Sequence, residues 1–254
     1  MENKLKYIKL GLVDTVFNRP IWDYAKIITP ECPTIFSYSP KDSGLLICGS
    51  EELDKRLKVE NIPSDIKMVR INSERETVFM IGPNLLGFIV HYPDTKEFKL
   101  FLKAIKAIIY RTLKSYGIPL IERGNDVFFL KDGLEKKFFG AMDQPTIDGW
   151  KVMIFSLTLD FDSELANKIY RFDEKKFTKK GEITDIGKIA GGLYEVNPDI
   201  DRDKLVADII QKVGERYVLK VGEEVLSEDD LSKMTEFANK FDNNDWNLYA
   251  RNTK

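Results

Sequence analysis

The sequence predicts one α+β domain, residues 1–254, in which mixed, largely antiparallel sheets are flanked by helices. Two observations carry this. Short runs rich in β-branched and aromatic residues, bounded by Gly, Pro, Asn and Ser, come in groups, and a few amphipathic segments stand between and after them. The 254 residues are 43% hydrophobic, enough for a sizeable core, and show no internal repeat, linker or low-complexity stretch.

In order along the chain, residues 7–13 alternate weakly and are expected as an edge strand. Within residues 14–28, Val16, Phe17, Ile21, Tyr24, Ala25 and Ile28 recur at a helical period, with Pro20 starting or bending the helix. PTIFSYSP and GLLICGS read as short strands, and EELDKRLKVENI as a short polar helix. Residues 68–71, 77–80 and 85–92 read as three strands, the last two joined by the turn IGPN. Residues 95–117 form the clearest helix, with Phe98, Phe101, Ile105, Ile108, Ile109 and Leu113 on one stripe. Gly117 follows as its C-terminal stop. DVFFL and KKFFGAM flank KDGLE as a hairpin. Residues 150–161 are nearly continuously apolar and are expected as a central strand. Asp162 or Ser163 caps a short helix. A helix follows with stripe Leu205, Ile209 and Val213, and another is capped by Ser227. Residues 197–254 are thus expected as a C-terminal helical part.

Composition excludes several functions. A net charge of −2 gives no electrostatic reason for a nucleic-acid partner. The two cysteines, Cys32 and Cys48, form no CxxC pair, so no zinc or other metal site is expected. One histidine, His91, leaves almost no material for a Ser-His-Asp triad. It is read as a structural residue at a strand end, and the cysteines as small apolar residues. No apolar run approaches a membrane span, and the opening MENKLKYIKLGLV lacks the apolar core of a signal peptide. The expected location is therefore cytoplasmic, without membrane contact.

Four ordered stretches resemble the lipoate–protein ligase A family, within the class that also holds biotin–protein ligases and octanoyltransferases. They are RGNDVFF…EKKFFGAM, SLTLDFDSEL, KKFTKKGEITDIGKIAGGLYEV and DDLSKMTEFANKFDNNDWNL. The helix, Pro and Gly-ending strand of residues 13–50 fit the same pattern, so the resemblance covers nearly the whole chain. It implies a biotin/lipoate ligase-like catalytic domain. It also implies ATP-dependent activation of lipoate to lipoyl-adenylate, with Mg2+, and transfer to a lysine of a lipoyl-domain protein. Lys137 matches the family's catalytic lysine, expected to be buried, with one residue more before Gly140 than the strict family pattern. Asn125 and Asp126 match the pair beside the adenylate, and Lys180 and Gly181 the second lysine, on a loop that closes over the nucleotide. Because some members divide their function between two chains, a second subunit is a conceivable partner.

The stretch VRINSERETVFM aligns without a gap to the family's substrate-binding loop. Arg70 and Ser73 fall on binding positions, but Glu74-Arg75-Glu76 replace three glycines. Glycines there let backbone N–H groups approach phosphate or acyl oxygens. Two carboxylates repel a phosphate by about 1 kcal/mol each in water at contact range. Ile154-Phe155 also stand where the family usually has His-Gly, so bulk replaces an opening to the acyl tunnel. Neither cysteine matches the octanoyltransferase nucleophile. The sequence therefore supports two expectations: a divergent lipoate ligase, or a catalytically degenerate paralogue that acts as a binding or regulatory partner.

Overall fold

The computed structural model describes residues 4–28, 30–49, 52–71, 77–143, 146, 148–171, 185–217 and 220–241. Among these residues eight strands form one sheet and three form a second. The strands are β1 (Lys4–Val13), β2 (Thr34–Pro40), β3 (Gly44–Cys48), β4 (Lys67–Ile71), β5 (Thr77–Ile81) and β6 (Leu85–Pro93). They continue as β7 (Ile121–Arg123), β8 (Asp126–Lys131), β9 (Leu134–Asp143), β10 (Trp150–Thr158) and β11 (Lys220–Glu223). The large sheet runs β11-β1-β2-β6-β10-β9-β8-β7, and the small one β4-β3-β5. Pairing is antiparallel except at β11-β1, β1-β2 and β3-β4, which matches the expected mixed, largely antiparallel arrangement.

One face of the large sheet packs against α4 (Phe98–Ser115) and α6 (Arg202–Tyr217). Phe101, Ile105 and Ile109 of α4 meet Phe88, Phe139 and Phe155 of the sheet in one core. The stripe spacing dictates this: residues three and four apart share a helix face. The opposite face packs against the small sheet through Leu46, Cys48, Val69 and Ile71. It also packs against α1 (Asn18–Trp22), α2 (Tyr24–Ile27) and α7 (Glu228–Phe241) through Ile21, Trp22, Tyr24 and Met234. Beyond the small sheet, α3 (Leu53–Arg56) and α5 (Ser163–Ile169) close a third cluster on Leu45 and Ile47.

Several expectations change. β1 is an edge strand only beyond Tyr7: β2 pairs with one side of it from Lys6 to Val13, while β11 covers the other side from Lys4 to Tyr7. The single helix expected over residues 14–28 is broken into a 3-10 turn, α1 and α2: α1 starts with Pro20 in its first turn, and a further break, not expected, falls at Asp23. Arg19 and Asp23 form a buried ion pair there, and the Arg19 guanidinium also donates to the Arg70 carbonyl at 2.7 Å. The polar helix of 51–62 shrinks to α3 and a 3-10 turn at Val59–Asn61. The region from 197 onward is not wholly helical, because β11 returns to the large sheet. The caps agree with the sequence: Asp162 accepts from Leu165 N–H at 2.8 Å and Ser227 from Asp230 N–H at 3.0 Å.

His91 lies two residues from the end of β6, as expected, between Thr34 and Val152 of the neighbouring strands. It is fully buried, and its Nε2 is 3.0 Å from the Ile21 carbonyl oxygen. Burial lowers its pKa to about 4, so the ring is neutral, which fits the structural role. Cys32 and Cys48 are free thiols, the first half-buried and the second buried.

Candidate functional site

A row of facing residues forms the floor of a cavity of about 680 Å³ on the small-sheet side of the large sheet. Tyr38 faces Gly87, Gly87 faces Ser156, Ser156 faces Gly140, and Gly140 faces Asp126. Directly opposed residues project to the same side of a sheet. These five therefore draw one line across β2, β6, β10, β9 and β8. Two glycines and a serine at its centre make the line a trough. The flanking Phe155 and Leu157 point to the other face, into the helix-side core.

Two residues along β10 the character changes. Ile154 faces Ile89 and Met142, and Ile154, Met142, Trp22 and Leu46 give the cavity an apolar wall. Of the pair expected to block an acyl tunnel, only Ile154 reaches the cavity, because neighbouring strand residues alternate faces. In the other direction, Thr158, Asp160, Asp162 and Arg171 join Asp126 and Lys137 as a polar end.

Lys137 is aimed into this end by its surroundings. Lys136 and Lys137 are adjacent on β9 and point opposite ways. Glu195 takes Lys136 in a 2.6 Å ion pair, while Lys137 Nζ lies 2.8 Å from Asp126 Oδ1. The main chain of Lys137 is held on both sides: its N–H donates to Ile189 O at 2.8 Å, and Gly191 N–H donates to its carbonyl at 3.0 Å. That clamp needs a glycine next to it. A Cβ at Gly192 would lie 2.4 Å from Leu159 O and 2.5 Å from Asp160 Cα. Gly140 is different, since a Cβ there would meet Lys137 Nζ and Asp126 Oδ1 at ordinary contact, 3.8 Å each. Its role is open floor beneath the pair.

The lysine is not buried as the resemblance implied. The side chains of Lys137 and Asp126 are 40% and 43% exposed, so the pair is solvated at the cavity mouth and its Coulombic gain is modest. A ligand anion can thus compete with Asp126 for the ammonium.

The remaining sequence-derived residues divide. Asp126, Lys137 and Gly140 come together on the cavity wall. Asn125 does not: it is exposed in the two-residue turn between β7 and β8, where its carbonyl accepts from Ala141 N–H at 3.1 Å. Arg70 is 3% exposed and donates to the Gly49 carbonyl at 2.9 Å, away from the cavity lining. Ser73, Lys180, Gly181 and Glu74-Arg75-Glu76 lie outside the described residues, as does Trp246 of the closing motif. Among the described residues, no group of three or more His, Cys, Asp or Glu could hold a metal ion, and no helix is long and apolar enough to cross a membrane. Sequence reasoning passed over Tyr38, Ser156 and Arg171. Tyr38 reads as core within a wholly buried strand, and no local signal marks it.

No family model matches the chain. It is 28% identical over 240 residues to a lipoate-protein ligase A of Blochmanniella pennsylvanica, covering 92% of this chain and 68% of the relative. In structure it is similar to a bi-partite lipoate protein ligase of Thermoplasma acidophilum studied with its E2 lipoyl domain. The TM-score is 0.77 at 17% identity, covering 99% of each chain. A lipoate-protein ligase A bound with ATP gives a TM-score of 0.72 at 15% identity, over 98% of this chain and 99% of that one. The fold is that of the lipoate–protein ligases.

Proposed function

We propose that this chain, a divergent relative of lipoate–protein ligase A in sequence and fold, binds lipoate in the trough, activates it with ATP and passes it to a lysine of a lipoyl domain. The observation that carries this reading is the Lys137–Asp126 pair at the polar end of a cavity that also has an apolar wall of Trp22, Leu46, Met142 and Ile154. An amphiphilic acid has the same polarity pattern as that cavity.

In the first step a carboxylate oxygen of the acid attacks the α-phosphorus of ATP and pyrophosphate leaves. In the second, the acceptor lysine's amine attacks the acyl carbonyl, AMP leaves, and the amine loses a proton. Both steps build negative charge on oxygens near the carboxyl. Lys137, exchanging Asp126 for those oxygens, supplies the compensating charge. Mg2+ would arrive with the triphosphate, since it is commonly held by one or two carboxylates plus phosphate oxygens. Among the described residues the wall carries two cations, Lys137 and Arg171, against three carboxylates, Asp126, Asp160 and Asp162. Further attraction for the triphosphate is assigned to Lys180 and Gly181. The proposed compartment is the cytoplasm, and a second chain could complete the activity.

Glu74-Arg75-Glu76 favours a second reading, in which the chain holds a lipoyl domain or a partner subunit without forming adenylate. One experiment separates the two. Wild type and Lys137→Ala are incubated with ATP, lipoate and a lipoyl domain, and lipoyl-adenylate and the mass of the domain are followed. The ligase reading expects both products from wild type and a rate at least about 100-fold lower from Lys137→Ala. Neither product from wild type, with the lipoyl domain still bound, would establish the second reading instead.

A further inference from the structure

We propose that Tyr38 and Ser156 form a second polar station in the trough. It would select acids that carry a hydrogen-bond acceptor along the chain, an oxygen more strongly than the weakly accepting sulfur of lipoate, over plain fatty acids. This rests on reading the cavity as an acid site and adds a specificity determinant to it.

Tyr38 is 4% exposed and lines the cavity. Its ring lies directly over Gly87: a Cβ on that glycine would come 2.6 Å from Tyr38 Cε1, 2.8 Å from Cζ and 3.1 Å from the hydroxyl oxygen. Glycine at 87 is thus what lets a phenol lie along the trough floor. The hydroxyl has no hydrogen-bond partner among the described residues. It is also not among the sealed, unpartnered polar atoms there, which belong to Asn18, His91 and Tyr110. It therefore meets the cavity as an unspent donor. Ser156, the next residue of the row, lines the same cavity and also has no side-chain partner among the described residues.

A ligand that covers these hydroxyls without pairing with them strips their water at a cost, and a ligand atom that pairs with them avoids that cost. A plain alkyl chain offers no such atom. Gly87 and Gly140, beneath Tyr38 and beneath Lys137, are two strands apart. At about 4.8 Å per strand the two polar stations stand on the order of 10 Å apart, so an acid held at Lys137 would present its acceptor near about C6 to C8.

The test measures binding of octanoate, 6-oxooctanoate and 8-hydroxyoctanoate by calorimetry to wild type, Tyr38→Phe, Ser156→Ala and Lys137→Ala, without ATP. Tyr38→Phe removes one oxygen and keeps the ring over Gly87. Wild type is expected to prefer at least one oxygenated acid over octanoate by about three- to tenfold, the range of one net hydrogen bond. Tyr38→Phe should bring that ratio near one, and Ser156→Ala should lower it. An unchanged ratio in Tyr38→Phe, or a wild type that favours octanoate, overturns the polar station while Lys137-dependent binding keeps the acid site. Failure of all three acids to bind wild type overturns both.

Discussion

Lys136 and Lys137 carry the same charge at adjoining positions, and only their partners separate them: Glu195 holds the first at 2.6 Å, and Asp126 meets the second at 2.8 Å. The sequence singles out Lys137 by resemblance. The alternation of strand side chains supplies the physical reason, which a linear reading could not, because Glu195 lies 59 residues from Lys136. His91 makes a residue-scale prediction. Burial lowers its pKa from 6.5 to about 4, with the Ile21 carbonyl contact opposing the shift. The unfolded chain therefore takes up a proton as pH falls through about 6.5, while the folded chain resists until about pH 4. Stability is lost across that window, by about 3 kcal/mol at its end. Asp23, whose pKa burial raises despite Arg19, acts in the opposite direction in any His91 variant as well. Urea midpoints at pH 7 and pH 4.5 should fall further for wild type than for His91→Phe. Equal falls would remove His91 as the source.

At the scale of elements, legibility follows sequence distance. The stripe of α4, the β8–β9 hairpin and the caps at Asp162 and Ser227 are local. Their periods and spacings suffice, and each is found where expected. The segment 14–28 fails this test because its course is set by a buried charge pair at Asp23 and by the Arg19 contact with the Arg70 carbonyl, 51 residues away. β1 likewise alternates like an edge strand and is one beyond Tyr7, but its start gains a second partner, β11, more than 200 residues away. The element most in tension with the proposed chemistry is the stretch after β4, where side chains replace glycines. Replacing Glu74-Arg75-Glu76 by three glycines removes two carboxylates and one guanidinium and restores close backbone approach. The variant should show a larger rise in melting temperature with ATP than wild type does. An equal or smaller rise would mean that this stretch does not limit nucleotide binding.

At the scale of the whole molecule, segments more than 200 residues apart meet in one sheet, β11 beside β1, and Leu226 and Met234 share a core with Trp22 and Ile154. Among the described residues each core cluster draws on both halves of the chain, so we expect 1–254 to unfold as one domain, with a single calorimetric transition whose van't Hoff and calorimetric enthalpies agree. Two resolved transitions would contradict this. The sequence by itself determined the α+β class, the long helices and the β8–β9 hairpin, because these depend on composition and on neighbours a few residues apart. Only the tertiary structure decided the site. Tyr38, Gly87, Ser156, Gly140 and Asp126 come from five strands, and the register that sets them in one row is fixed by packing across the sheet. The same packing left Asn125 and Arg70 off the cavity wall and brought in Tyr38, whose buried strand gives no local sign that it lines a cavity.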